Sequence, residues 1–306
     1  MSVKLSFVTM PFPGVVEYLR HGKAVGLWDM TVLGSERVEV APADAYGVGA
    51  WCQEYGAVHD EVRKRGASFG VAWTSSPQES DASRTQVELL YLMALTSEKS
   101  PYRPDWFMCL HPALAEVLPG GFHVPAPICM EEVKVVPKED RIAFYSPGTE
   151  KKAVFSQLLA VKAFQKERPE FIFDTNLASY EKLMQWLGIR YELRAWMPRG
   201  ELLERLAACR FAMHVSLAES FGYGAVDAMM AGTPVVGSPA LQWLPRSWCA
   251  RDANDPASIL SQMRHACDSE VMESDAKAII DSIAGSQNYQ AKEAAARLHE
   301  YINSQG

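Results

Sequence analysis

Cysteine is scarce in this chain, and the few cysteines lack the spacing of a metal or disulfide framework. The 306 residues include six cysteines, scattered along the sequence without a Cys-x-x-Cys pair. Closely spaced pairs are typical of zinc sites and of small secreted proteins, so both classes are disfavoured. Widely separated thiols suit a reducing compartment, and we expect a cytoplasmic protein.

Long hydrophobic runs are also missing. No stretch approaches the roughly 20 apolar residues that a transmembrane helix needs, so we expect no integral membrane segment. The start, MSVKLSFVTMPFPG, has neither the apolar core nor the cleavage site of a secretory signal. We therefore expect no cleaved leader.

Positive charge is in deficit. The chain has 30 Lys and Arg against 37 Asp and Glu, a formal net charge of −7, so the overall composition does not favour nucleic acid or an anionic membrane as partner. Asp-x-Asp pairs and clusters of His with carboxylates, which hold divalent cations, are absent from the sequence as well. We expect no metal and no other cofactor.

Alternating strand and helix signals run through the chain. In the second half, short apolar runs such as IAFYSPG and EFIFDTN alternate with helical patterns such as AVFSQLLAVKAFQKE. The first half is similar but less regular, with candidate strands at KLSFVTM (4–10) and FHVPAPI (122–128). This alternation predicts βαβ units and parallel sheets with helices on both faces.

Two domains are expected, with a charged linker between them at MEEVKVVPKEDR (130–141). The predicted fold is α/β, with two doubly wound Rossmann-like domains that face a cleft. The boundaries are 1–135 for the first domain, 136–285 for the second, and 286–306 for a C-terminal helix.

The segment HVSLAESFGYGAVDAMMAGTPVVGSP, from His214 to Pro239, carries the most specific motif. Glu219 precedes a Gly-rich turn, a helix of small residues follows, and Asp227 stands eight residues after Glu219. This order resembles the donor-site signature of retaining GT-B glycosyltransferases, where two acidic residues, usually both Glu, flank such a turn. The matching positions are Ser216, Glu219, Phe221, Gly222, Gly224, Asp227, Ala228, Met229, Gly232, Thr233, Pro234 and Val235.

Residue chemistry and the resemblance together assign roles in this segment. Gly222 and Gly224 let the backbone approach a ligand closely, and the helix that follows offers an N-terminal end suited to a diphosphate. By the resemblance, Glu219 would bind hydroxyls of the donor sugar and Asp227 those of the ribose. The predicted donor site is completed by Ser146, Ser216, Phe221 and Tyr223.

An upstream segment, FYSPGTEKKAV (144–154), resembles the part of the family that holds the diphosphate with an Arg and a Lys. Lys152 falls on the Lys position. The Arg position falls on Pro147, which has no side-chain donor. Lys151 and Arg199 are the candidates to supply the missing cation.

Two stretches of the first half match the family more loosely. PFPGVVEY (11–18) resembles the loop after the first strand, where Gly14 would approach the donor phosphate. GVAWTSS (70–76) ends where many relatives carry an active-site His, and we assign its end to the acceptor side. The acceptor-side residues are Trp73, Thr74 and Ser75. His214 lies inside a predicted strand and is interpreted as a core residue.

The resemblance implies an enzyme, a retaining hexosyltransferase that needs no metal, with a C-terminal helix (286–306) that packs back toward the first domain. A nucleotide sugar, most simply of the UDP type, would bind the C-terminal domain as a substrate, and the acceptor would bind the N-terminal domain. Glu219 and Lys152 would be the catalytic residues, because Lys152 would stabilise the charge that grows on the departing diphosphate. The acceptor is open among a small molecule, a glycan and a modified DNA base.

Three alternatives remain open from the sequence. A nucleotide-sugar 2-epimerase could use the same architecture, although the stretch WTSS (73–76) supplies no obvious acid or base. A degenerate GT-B protein would bind a nucleotide or a partner without catalysis. A viral type of DNA-base glucosyltransferase would suit the short first domain, while the acidic net charge opposes it.

Overall fold

The structure is a computed structural model with two compact units. The residues it describes are 5–9, 13–32, 43, 45–49, 55–74, 94, 96–146 and 148–305. The first unit combines Met1–Cys129 with Ala284–Gly306, and the second is Met130–Ile283.

The first unit contains a six-stranded sheet in which every paired neighbour is parallel. Its strands are β1 Leu5–Thr9, β2 Asp29–Val32, β3 Ala45–Gly49, β4 Ser68–Trp73, β5 Trp106–Cys109 and β6 Gly121–His123. The order across the sheet is β2-β1-β3-β4-β5-β6. The helices described between these strands are α1 Pro13–Ala24, α2 Tyr55–Lys64 and α3 Pro112–Val117.

Glycines in the middle strands make room for a large aromatic core in this unit. A Cβ on Gly70 would lie 2.1 Å from the Trp106 ring, and one on Gly47 would lie 2.2 Å from the Phe7 ring. Phe7 and Trp106 pack edge to face with ring centroids 6.0 Å apart. Strand glycines normally weaken a sheet, so their presence here is explained by the close approach of these rings.

The last helix, α9 Glu270–Gln305, starts in the second unit and ends in the first. Within the first unit, the Asn288 amide pairs with both backbone groups of Ile128, accepting from its N–H at 2.8 Å and donating to its carbonyl at 2.7 Å. The Tyr301 ring lies 5.1 Å from that of Phe122. These contacts attach residues 284–306 to the body of the first unit.

The second unit contains a five-stranded parallel sheet in the order β11-β10-β7-β8-β9. Its strands are β7 Glu139–Phe144, β8 Ile172–Thr175, β9 Tyr191–Leu193, β10 Cys209–Met213 and β11 Val235–Val236. Its helices are α4 Val154–Glu167, α5 Glu181–Leu187, α6 Arg199–Ala208, α7 Tyr223–Met230 and α8 Pro256–Asp268. Each strand is followed by a helix, as a doubly wound sheet requires.

A buried carboxylate on strand β8 is surrounded by arginines. Asp174 of β8 has a fully buried side chain that contacts three arginines. Arg205 Nε of α6 lies 2.6 Å from its Oδ2, Arg194 Nε lies 3.2 Å from its Oδ1, and Arg141 Nη1 of β7 lies 3.3 Å from its Oδ2. Several charge-assisted hydrogen bonds offset the desolvation of this group.

Both parallel sheets are flanked by helices, which confirms the predicted α/β fold. Some boundaries differ from the sequence expectation. The strand expected over 122–128 ends at His123, because Pro125 and Pro127 lack the N–H that a ladder requires. Gly14, expected in a loop, lies in the first turn of α1, where Pro13 is tolerated because the first N–H groups of a helix make no intrahelical bond.

Candidate functional site

The predicted donor residues of the second unit converge at the carboxyl ends of two adjacent strands. Strands β7 and β10 pair in parallel, with Ala143 beside Ala212. The loop after β7 leads to a short 3-10 helix, Glu150–Lys152, and the loop after β10 leads to α7. Parallel strands end at the same edge of a sheet, which is where ligands of such folds bind.

A buried ion pair lies at the centre of this edge. The Lys152 ammonium contacts Glu219 Oε1, and the side chains are 9% and 6% exposed. The Ser216 hydroxyl donates to the same oxygen at 2.8 Å. Burial alone would raise the pKa of Glu219, but Lys152 and His214 outweigh it and hold that pKa well below its usual range. Glu219 is therefore a carboxylate at neutral pH.

His214 belongs to this cluster, so its interpretation as a core residue is wrong. Strand β10 ends at Met213, and the imidazole that follows it meets charged groups. His214 Nε2 lies 2.9 Å from Glu219 Oε1 and 3.2 Å from Lys152 Nζ. Burial lowers the pKa of His214, and Lys152 lowers it further, so the ring is neutral in this state.

Backbone and amide contacts hold the two loops together. The Gln157 side-chain amide of α4, buried, donates to the carbonyl of Lys152 and to that of Val215 at 3.0 Å. The N–H of Leu217 donates to the carbonyl of Lys151 at 2.7 Å. Gln157 could not be singled out from the sequence, because a single polar residue in an amphipathic helix pattern gives no local signal.

Strain is stored directly after Lys152. Ala153 has φ 46° and ψ 38°, and it is the one non-glycine residue with positive φ in the described part of the chain. A left-handed conformation costs an alanine roughly 1–2 kcal/mol. Such strain is often found where a functional side chain has to be held in place, and here the neighbour is Lys152.

The glycine turn brings backbone against the His214 ring. Gly222 has φ 89°, and a Cβ there would lie 2.3 Å from Leu241 Cδ2 and 3.4 Å from His214 Nε2. A Cβ on Gly224 would lie 3.3 Å from His214 Nδ1. Helix α7 starts between these glycines, at Tyr223, and a helix N-terminus is partly positive. A side chain at either position would thus crowd Leu241 or His214, and the approach of this turn to a ligand stays a prediction.

Phe221 packs beside this turn, with its ring centroid 5.3 Å from that of Tyr223 and 5.7 Å from that of Trp243. The Trp243 indole donates to the carbonyl of Phe221 at 2.7 Å. Phe221 is buried. These contacts fix the entry to α7.

Asp227 lies on α7 with a buried side chain that is already paired. Arg199 Nη1, at the start of α6, lies 2.7 Å from Asp227 Oδ1, and Arg199 Nε lies 2.8 Å from Glu131 Oε1. The structure thus brings together Asp227, predicted to bind the ribose, and Arg199, a candidate for the missing cation. A ligand that contacted either side chain would have to compete with this internal pair.

The remaining predicted residues lie at varied places. Ser146 is buried after β7, where its N–H donates to Asn176 Oδ1 at 3.0 Å. Trp73 packs in the core of the first unit with neighbours such as Phe107, and its Nε1 has no hydrogen-bond partner among the described residues. Thr74 follows β4 and is half-buried. The predictions for Ser75 and Pro147 lie outside the described residues.

Within the described ranges, no three His, Cys, Asp or Glu residues are grouped so that they could hold a metal ion. In the same ranges, no helix has the length and apolar character to cross a membrane.

Solved structures share this fold at low sequence identity. HepE of Anabaena, solved in complex with UDP and glucose, aligns with a TM-score of 0.68 at 14% identity, covering 99% of this chain and 100% of that chain. WaaG, a glycosyltransferase involved in lipopolysaccharide biosynthesis, aligns with a TM-score of 0.67 at 13% identity, covering 97% and 99%. These likenesses show that the fold is that of GT-B glycosyltransferases.

Larger proteins match over part of their length. A mutant of S. aureus TarM, solved in complex with Fondaparinux, alpha-GlcNAc-glycerol and UDP, aligns with a TM-score of 0.59 at 11% identity, covering 85% of this chain and 56% of that chain. This chain spans 57% of the matched chain in the GtfA/B complex and 57% of pneumococcal GtfA. No protein-family model matches the sequence, and no curated protein matches it.

Proposed function

We propose that this protein is a glycosyltransferase that moves a sugar from a nucleotide-diphosphate sugar, of the UDP type, to an acceptor hydroxyl. The proposal includes retention of configuration and independence of a metal. The observation that carries it is the cluster of Lys152, Glu219 and Ser216 beside the glycine turn of α7, at the carboxyl ends of β7 and β10.

The proposed chemistry divides the work between charge and hydrogen bonding. A departing diphosphate gains negative charge as the bond to the anomeric carbon breaks. Lys152 and the N-terminal end of α7 lie at the same edge of the sheet, where together they would stabilise that charge. Glu219, ionised and buried, accepts hydrogen bonds and would grip sugar hydroxyls.

Structural neighbours support the donor class. HepE of Anabaena and TarM of S. aureus were both solved with UDP. HepE also carries glucose. Lys152 and Glu219 lie at strand ends, where folds of this kind bind nucleotides, and this supports extending the UDP type to this chain as part of the proposal.

A thermal-shift screen tests the donor class. Purified protein is heated with UDP, GDP, ADP, CDP and TDP sugars, one at a time, with EDTA present. A ligand at 100 times its Kd stabilises the folded state by about 2.7 kcal/mol, so a true donor raises the midpoint clearly. A shift with the UDP sugars alone supports the proposal, and a protein that responds to none of the five contradicts it.

An assay of sugar transfer tests the role of Glu219. Glu219→Ala removes the proposed sugar contact, and we expect release of nucleoside diphosphate to fall by about 100-fold, the usual loss for a group that stabilises a transition state. The matched control is Glu204→Ala, because Glu204 is exposed on α6. Transfer that survives in Glu219→Ala would remove Glu219 from the mechanism.

One specific observation favours the non-catalytic alternative. Two of the three candidate cations, Lys152 and Arg199, are paired internally, Lys152 with Glu219 and Arg199 with Asp227. A protein that binds a nucleotide without turnover would keep such pairs closed. Binding of a nucleotide sugar with no release of nucleoside diphosphate, in wild type and Glu219→Ala alike, would select this alternative.

A further inference from the structure

The polar side chains of the candidate site contact one another in this structure. Lys152 Nζ, His214 Nε2 and Ser216 Oγ all contact a single oxygen, Oε1 of Glu219. If a diphosphate takes Lys152, as the proposed function requires, Glu219 loses its cationic partner. A buried carboxylate without a cationic partner is unfavourable, so a neighbouring group that can become positively charged would stabilise Glu219.

His214 is placed to supply it. The ring contacts both members of the pair through the same atom, Nε2, at 2.9 Å from Glu219 and 3.2 Å from Lys152. One nitrogen cannot donate to the carboxylate and accept from the ammonium at once. In the tautomer that carries its proton on Nε2, this nitrogen donates to Glu219 and faces the Lys152 ammonium with an N–H, so the contact with Lys152 is unfavourable. That unfavourable contact ends when Lys152 moves away.

The second ring nitrogen, Nδ1, lies near Gly224 of the glycine turn. A Cβ at position 224 would lie 3.3 Å from Nδ1, a distance tighter than ordinary van der Waals contact, and Gly224 provides none. Gly224 is also exposed. With Nε2–H donating to Glu219, Nδ1 holds the lone pair that would accept a further proton.

The charges around the ring determine the direction of this change. Lys152 and Lys151 face His214 from the 3-10 helix, Glu219 faces it from the loop, and α7 presents the uncharged Gly222 and Gly224. Burial and Lys152 lower the pKa of His214, whereas Glu219 raises it. Removing Lys152 from the pair leaves Glu219 in contact with the ring, so protonation becomes easier.

We propose that His214 is a proton-linked positioning residue: when the donor diphosphate draws Lys152 away, His214 takes up one proton and becomes the cation that holds Glu219. The proton passes from solvent to the imidazole, and no covalent bond to carbon or phosphorus changes in this step. This inference rests on the proposed function, because it requires a diphosphate that competes for Lys152.

Calorimetry in buffers of different ionisation enthalpy measures the proton directly. The probe is UDP-glucose, whose diphosphate is fully ionised near neutral pH, or the member of the thermal-shift panel that binds in its place. Wild type is expected to take up close to one proton per ligand at a pH well above the unliganded pKa of His214 and below its liganded pKa, and in that window its affinity is expected to fall by up to about tenfold per pH unit as pH rises.

Two variants separate His214 from other proton acceptors. His214→Gln keeps an N–H donor near Glu219 but cannot titrate in this range, and its proton uptake is expected to vanish. His265→Gln, on the exposed face of α8, is the matched control and should behave as wild type. Uptake that persists in His214→Gln would assign the proton to Glu219 itself and overturn the inference.

The remaining outcomes are also distinct. UDP-glucose that binds wild type with no proton uptake overturns the role of His214 and leaves the proposed transferase intact. A panel in which nothing binds overturns both. If His214→Gln does not fold, the pH profile of wild-type affinity decides, since a flat profile contradicts the linkage.

Discussion

Replacing Lys152 with methionine tests the buried ion pair most sharply. Methionine keeps the length and apolar stem of lysine and removes the ammonium, so Glu219 stays 6% exposed but loses its cation. Breaking a buried pair from one side typically costs about 3–5 kcal/mol. For a unit the size of Met130–Ile283, this corresponds to a fall of about 6–20 °C in Tm.

The loss should also depend on pH. In wild type, the pKa of Glu219 is depressed, so its ionised form contributes stability that is present above the ordinary carboxyl pKa and lost only as pH falls through the depressed value. In Lys152→Met, burial raises that pKa without the opposing ammonium. Glu219 then protonates more readily, and the stability gap to wild type should narrow as pH is lowered from about 7.5 to about 5.

Urea unfolding at both pH values measures the gap. The control is Lys166→Met, because Lys166 is exposed on α4 and should change stability by at most about 0.5 kcal/mol. Adding Glu219→Gln to Lys152→Met should restore part of the loss, since the unpaired charge is then gone. A Lys152→Met variant as stable as Lys166→Met at the higher pH would refute the buried pair.

Other substitutions test the second unit and the last helix, α9. Gly222→Ala should lower stability by about 1–3 kcal/mol in a thermal melt, because φ is 89° and the new Cβ would lie 2.3 Å from Leu241. Gly285→Ala, in the helix with open space around it, should instead raise stability by up to about 1 kcal/mol. Asp255→Ala removes a cap that accepts from Ala257 and Ser258, and should cost about 1 kcal/mol in urea unfolding. Asp174→Asn leaves three partly buried arginines with a weaker partner, and should cost about 3–5 kcal/mol in the same assay. An unchanged unfolding midpoint in either aspartate variant would contradict the contacts assigned to that residue.

The fold could be predicted because its signals are local and repeated. Alternation of strands such as β7 and β8 with helices such as α4 specifies parallel sheets, and the glycine turn before α7 carries its own sequence pattern. Glu219 and Lys152 were identified from motif positions in two separate segments. Their contact follows from the pairing of β7 with β10. The alternation of strands and helices predicts a parallel sheet, but it does not specify which strands are neighbours or their register.

The missed residues depend on tertiary contacts that no local pattern reports. His214 reads as a strand residue because it follows the apolar run of β10 directly, and its N–H still donates to the carbonyl of Val236 at 2.8 Å. The charged surroundings of the His214 ring become visible only when Lys152, on the neighbouring 3-10 helix, is placed beside it. Gln157 and the pairing of Arg199 with Asp227 likewise depend on which loops and helices lie side by side.

Binding of a nucleotide sugar is the central claim, and titration calorimetry measures it directly. UDP-glucose, or the panel member that binds in its place, is titrated into wild type, Lys152→Met and Lys166→Met, each well below its unfolding midpoint and with EDTA present. We expect wild type and Lys166→Met to bind with equal affinity and Lys152→Met to bind at least about tenfold more weakly, the loss of a charge-assisted contact. Equal affinity in Lys152→Met, or no binding by wild type, would contradict the account.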